Sequence, residues 1–178
     1  MKKATNALHR HFESCMVMTQ RLISAIPLEL WASEYNGAPV WYQVYHFVYF
    51  LDVWFRMRYI SGDRSEMVGS FDERLHAEEF ATEVPEELLI TREEMQDYLV
   101  KIHEKTLRVF ASLNDRKLGR PLHRGYGYVH MDILAGQIRH VIYNIGYLNA
   151  MLRERGLPAS DWVESGQKFQ TPAAQKEA

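Results

Sequence analysis

Residues 134–156 read LAGQIRHVIYNIGYLNAMLRERG. Leu134, Ile138, Val141, Ile145, Leu148 and Leu152 recur at alternating steps of four and three, the apolar face of an α-helix suited to a bundle core. Gln137, His140, Asn144, Tyr147 and Met151 recur in the same way about 100° further round, so a mostly polar stripe borders the core stripe. His140 and Asn144 stand one turn apart and point the same way. A histidine and an asparagine beside a core seam are either a structural hydrogen-bonded pair or part of a site. Arg153 and Arg155 suit the negative end of this helix, and Gly156 with Pro158 supplies its stop.

Working outward, the chain has 178 residues, which predicts one domain over residues 1–160 and a C-terminal tail over 161–178 whose closing QTPAAQKEA is disordered. A net charge of −2, with Lys and Arg scattered, argues against a nucleic-acid partner. One cysteine, Cys15, excludes an internal disulfide and suits a reducing compartment. The opening MKKATNALHRHFES has no signal-peptide core, and no run of about 18 apolar residues marks a membrane span. These features predict a cytoplasmic protein.

Three more helices are expected. The first runs from Thr5 to Ala25 and ends at Ile26-Pro27, and Trp31 then plugs the base of the bundle. The second starts near Asn36-Gly37-Ala38-Pro39 and carries WYQVYHFVYFLDVWFRMRY, about 20 residues that are apolar on nearly every side. One face serves the core and another a homodimer interface. The third has a capping box at Thr91-Arg92-Glu93-Glu94, with Ile90 and Met95 as its hydrophobic staple. Between the second and third lie residues 61–90, too many for a hairpin connection, with a short helix expected over 72–80. The expectation is all-α: a four-helix bundle with a long crossover between helices 2 and 3.

His46 in the second helix, the long crossover and RHVIYNIGYLNAMLRERG at the end of the fourth resemble the DinB-like (DinB/YfiT) superfamily over residues 4–157. The resemblance implies a divalent metal, Zn²⁺ or Ni²⁺, held by one histidine of helix 2 and two of helix 4. His46 and His140 match two of those positions, and Asn144 stands at the third. It also implies homodimers, and chemistry such as metal-dependent thiol S-transfer or hydrolysis. A carboxamide oxygen is a poor ligand for these metals, so His46, His140 and Asn144 predict a weak or substrate-completed site. The alternative is a non-catalytic dimeric bundle that binds a small ligand or serves as an interaction protein.

Other residues read more plainly. Asp52 is a candidate general base, but Arg56 one turn on predicts an i, i+4 ion pair. His76, Glu78 and Glu79 read as a solvated acidic loop. His123-Arg124-Gly125-Tyr126-Gly127 reads as a connection bordering the pocket. Cys15, with His11 one turn before it, reads as a small core residue rather than an activated thiol. Tyr42, Tyr45, Tyr49 and Tyr147 read as core or interface.

Overall fold

The computed structural model describes residues 2–59, 63–75, 84, 86–122, 127–164 and 166–171. The chain is mostly helical. Four long helices, α1 (Lys3–Ala25), α3 (Val40–Trp54), α4 (Arg92–Ser112) and α6 (His130–Glu154), are joined through the short α2 (Leu28–Trp31) and α5 (Asp115–Leu118). A two-residue hairpin, β1 (Glu34–Tyr35) and β2 (Ala38–Pro39), precedes α3. No described helix is long and apolar enough to cross a membrane.

The sequence explains each boundary. Asp115 accepts from the backbone N–H groups of Lys3 and Thr5 at 2.9 and 3.0 Å, which satisfies the free donors at the start of α1. Thr91 and Glu94 form the expected reciprocal capping box, and Ile90 and Met95 are both buried. α6 ends where the Leu157 N–H reaches back to the Leu152 carbonyl around Gly156, whose φ of +68° suits glycine. Trp31 is buried, and its indole N–H donates to the Ile90 carbonyl at 2.8 Å.

Two expectations need correction. Residues 36–39 do not begin a helix. Asn36 and Gly37 have φ of +49° and +88°, the conformation of a tight hairpin turn, and Gln43 Nε2 ties the hairpin down by donating to the Tyr35 and Ala38 carbonyls. The helix that follows stops at Trp54, not near Tyr59. Its last carbonyls are taken by side chains: Arg56 donates to Val53 O and Tyr59 Oη to Trp54 O.

The helix directions follow from contacts at both ends. α1 and α4 run oppositely, because Lys2 meets Ala111 at one end and Ser24 meets Gln96 at the other. α3 and α4 run the same way, since Tyr45 packs on Tyr98 and Asp52 on Lys105. α3 and α6 are antiparallel, with Asn36 on Tyr147 and Tyr59 on His130. Phe12, Phe55 and Phe110 join α1, the end of α3 and α4 in one aromatic cluster.

α3 is apolar on nearly every side because most of it is covered within the chain. Only His46, Phe50 and Trp54 along it are half-buried. Phe71 of the α3–α4 connection packs edge-on against Tyr45 and Tyr98. Most of the aromatic surface that motivated a homodimer is covered, and a stripe of His46, Phe50 and Trp54 at one-turn spacing stays partly exposed. The expected helix over 72–80 is a 3₁₀ turn at Glu73–Leu75; residues 76–80 lie outside the described residues.

Beyond residue 160 the chain docks on α1. The Ser14 hydroxyl donates to the Glu164 carbonyl at 3.0 Å, and Gln20 Nε2 donates to the Gln170 carbonyl at 2.8 Å. The Phe169 N–H donates to Glu13 Oε2 at 3.1 Å. Glu13 is buried, and burial alone would raise its carboxyl. The imidazoles of His103 and His9 and the Phe169 N–H outweigh that and hold it well below the usual carboxylate range. His103 Nε2 lies 2.7 Å from Glu13 Oε1, and its ring stacks on Phe169. Gln170 and Thr171 thus belong to a docked segment, while residues 172–178 of the expected tail lie outside the described residues.

Candidate functional site

His46 sits mid-way along α3 because Tyr45 and Phe47 on either side of it face packed neighbours, which turns its ring toward α6. His140 faces it from α6. The two ring centroids are 5.4 Å apart at 74°. Phe50, one turn beyond His46, sets its edge against both imidazoles, at 5.0 and 5.3 Å. Burial, and then the neighbouring His140, push the His46 imidazole down to about 4. Burial lowers His140 as well. Both rings are therefore neutral at pH 7, and a neutral imidazole carries one donor and one acceptor nitrogen.

The centroid distance is ordinary for edge-to-face rings and is also close to that of two co-ligands. A tetrahedral metal about 2.1 Å from each ring nitrogen stands about 3.2 Å from each ring centre, which places the centres about 5.2 Å apart. The third expected donor, Asn144, bonds within its own helix through its amide nitrogen: Nδ2 donates to the His140 carbonyl at 2.8 Å, which folds the carboxamide back. Tyr143, the other α6 candidate donor, is 74% exposed. Among the described residues no three His, Cys, Asp or Glu side chains converge on one point.

The other sequence candidates are settled by their surroundings. Asp52 does not pair with Arg56. It is fully buried, and its carboxylate accepts from Lys105 Nζ at 2.6 Å, Tyr98 Oη at 2.8 Å and the Val68 and Gly69 N–H groups at about 3.0 Å. Arg56 turns outward to the Val53 and Asp63 carbonyls instead. With every lone pair engaged, Asp52 is the anchor that fixes residues 68 and 69 of the connection to α3 and α4, not a base. Burial lowers the Lys105 ammonium and raises the Tyr98 phenol. Cys15 is buried and its thiol is pushed up to about 12, which makes it an apolar packing group. Tyr42, Tyr45 and Tyr49 are core residues in ring contact with one another, and the Tyr45 hydroxyl finds no hydrogen-bond partner among the described residues. Tyr147 closes the hairpin end by accepting from Asn36 Nδ2 at 2.7 Å. His76, Glu78, Glu79 and His123 to Tyr126 lie outside the described residues.

Two buried charges were not foreseen as such. Lys105 falls on the inward face with Ile102, Thr106 and Val109, and a lysine inside an apolar register is the signal that it has a buried partner. Glu13 had no such signal, because the segment that covers it comes from the far end of the chain.

No family model, curated protein or solved structure matches this chain.

Proposed function

We propose that the four long helices form a DinB-like four-helix bundle with its crossover between α3 and α4, and that the pocket at His46 and His140 is its working site. The observation that carries this reading is the pair of neutral imidazoles at co-ligand spacing on facing helices. A divalent metal bound there would polarise a thiol or a carbonyl, the chemistry of a metal-dependent S-transferase or hydrolase. The protein's own part is narrower. His46 and His140 would each present a ring nitrogen, and Phe50 packs edge-on against both rings. Asn144, folded back on the helix, leaves the third position to a donor on the small molecule itself.

The folded-back amide also favours a second reading, in which the pocket binds a small ligand without catalysis. Calorimetric titration of the tag-free protein with Zn²⁺ tests the proposal. Weak binding that disappears in His46→Ala and in His140→Ala supports the pocket. Heats that are the same in all three proteins refute it.

A further inference from the structure

On the opposite side of α6 from His140 lies a cleft of about 380 Å³ between α1, α6 and the docked C-terminal segment. Ile138 and Ile142 face it, and each is two residues, about 200° of helical turn, from His140. The cleft is therefore separate from the histidine pocket. Its size is that of a small-molecule site. We propose that it binds a small organic cation, an ammonium group carried on an apolar body.

The floor sets the body of the ligand. Cys15 and Met18 from α1 and Ile138 and Ile142 from α6 offer apolar surface, since the Cys15 thiol stays protonated, and His11, an exposed α1 residue, also lines the cleft. Ser14 also lines the cleft, but its hydroxyl already donates to the Arg10 and Glu164 carbonyls. It has no proton left for an anionic ligand.

The wall sets the charge. Val163 is buried and pins the segment, while Trp162 and Glu164 on either side of it are exposed. Trp162 and Glu164 both line the cleft, so an indole and a carboxylate border the same space. Trp162 is 72% exposed, an unusual state for so large an apolar side chain beside an apolar floor. Glu164 forms no ion pair among the described residues. An indole face beside a carboxylate is the chemistry that recognises a desolvated ammonium.

The wall is also held in advance of binding. Asn149 Oδ1 accepts from the Ser160 N–H and hydroxyl at 2.9 and 3.0 Å, just before it. The Glu164 carbonyl is held by Ser14, and Phe169 by Glu13 just after it. A preorganised wall spares the ligand the entropy of ordering one.

Tryptophan emission of the full-length protein reports on the cleft once the emission of Trp162→Phe is subtracted, because Trp31 and Trp41 are buried, Trp54 is half-buried and Trp162 is the most exposed of the four indoles. The probes are phenylpropyltrimethylammonium, phenylpropanol and phenylpropionate, which share a body and differ in head-group charge. Saturable quenching or a blue shift is expected with the ammonium. Glu164→Gln should weaken it about fivefold or more, on the scale of one ionic and cation–π contact. Trp162→Phe should remove the signal, while calorimetry still detects the ammonium binding. Both substitutions are at exposed positions and leave the fold intact. Equal binding of all three probes, or no saturation with any, overturns the proposal. So does an emission change that follows protein concentration and a doubling of mass, because a second copy of the chain would then cover Trp162.

Discussion

Replacing Asp52 with alanine should be among the most damaging single changes in the molecule. The side chain is fully buried and accepts hydrogen bonds from the Lys105 ammonium, the Tyr98 hydroxyl and two backbone N–H groups. Its loss leaves a buried ammonium without its counter-charge and frees residues 68 and 69 from the helices. Breaking a buried ion pair by removing one partner costs about 3–5 kcal/mol. A domain of this size has about 5–15 kcal/mol in all, and each kcal/mol moves its melting temperature by about 2–4 °C. Asp52→Ala should therefore melt roughly 6–20 °C lower, with circular dichroism as the readout. Lys105→Met should also destabilise, because it strands the carboxylate. In the Asp52→Ala, Lys105→Met double variant neither charge is stranded, so its loss should fall short of the sum by about 1–3 kcal/mol. Urea titration of the four proteins gives that coupling directly. Additivity within about 0.5 kcal/mol, or a loss below about 1 kcal/mol for Asp52→Ala, would refute the view of Asp52 as a charged anchor.

Four further outcomes are expected. Asn144→His places a third imidazole one turn from His140, and its Zn²⁺ affinity should exceed the natural protein's by at least about 10–100-fold; equal affinities in calorimetry count against the pocket. His46 is held at about 4 in the folded protein against its ordinary 6.5, so the unfolded chain takes up its proton first. Its contribution to stability is complete above pH 6.5 and is lost as pH falls from there toward 4, so the natural protein should lose more of its urea midpoint between pH 7 and 4.5 than His46→Gln does, and parallel losses contradict this. A Cβ at Gly69 would lie 2.8 Å from Tyr98 Cε2, so Gly69→Ala should cost about 1–3 kcal/mol and speed proteolysis in the α3–α4 connection; an unchanged melting curve shows that Tyr98 yields freely. Thr91→Ala removes the α4 cap and should cost about 0.5–2 kcal/mol by urea titration, a neutral result meaning that the cap is satisfied by water.

The helices with one polar face were legible in the sequence, because period and cap residues act locally. α6 with its Gly156 stop and α4 with its Thr91 box needed no knowledge of the rest of the chain. The end of α3 was not legible, since it is set by Arg56 and Tyr59 reaching back to carbonyls, which no apolar pattern encodes. The buried charges were hidden for a related reason. Asp52 and Lys105 are 53 residues apart, and Glu13 and His103 are 90 apart. Glu13 looks like a surface residue until its partner is known, and the inward register of Lys105 signals a buried partner without naming it. Arg56 was an available but wrong partner for Asp52, because helical spacing says which groups can meet and not which of them is buried. His140 was picked out by its position beside the core seam and His46 by the family resemblance, while the inward fold of the Asn144 amide is a rotamer that sequence does not specify.

The clasp between Glu13 and Phe169 has a consequence for synthesis. The two residues are 156 positions apart, so the carboxylate leaves the ribosome long before the amide that will hold it. At ordinary elongation rates of about 5–20 residues per second that interval is roughly 8–30 s. Throughout it the face of α1 bearing Glu13, Ser14 and Gln20 lacks its cover. The nascent chain must keep its first helix from misdocking until the last stretch arrives, and that waiting period is where a chaperone would find it.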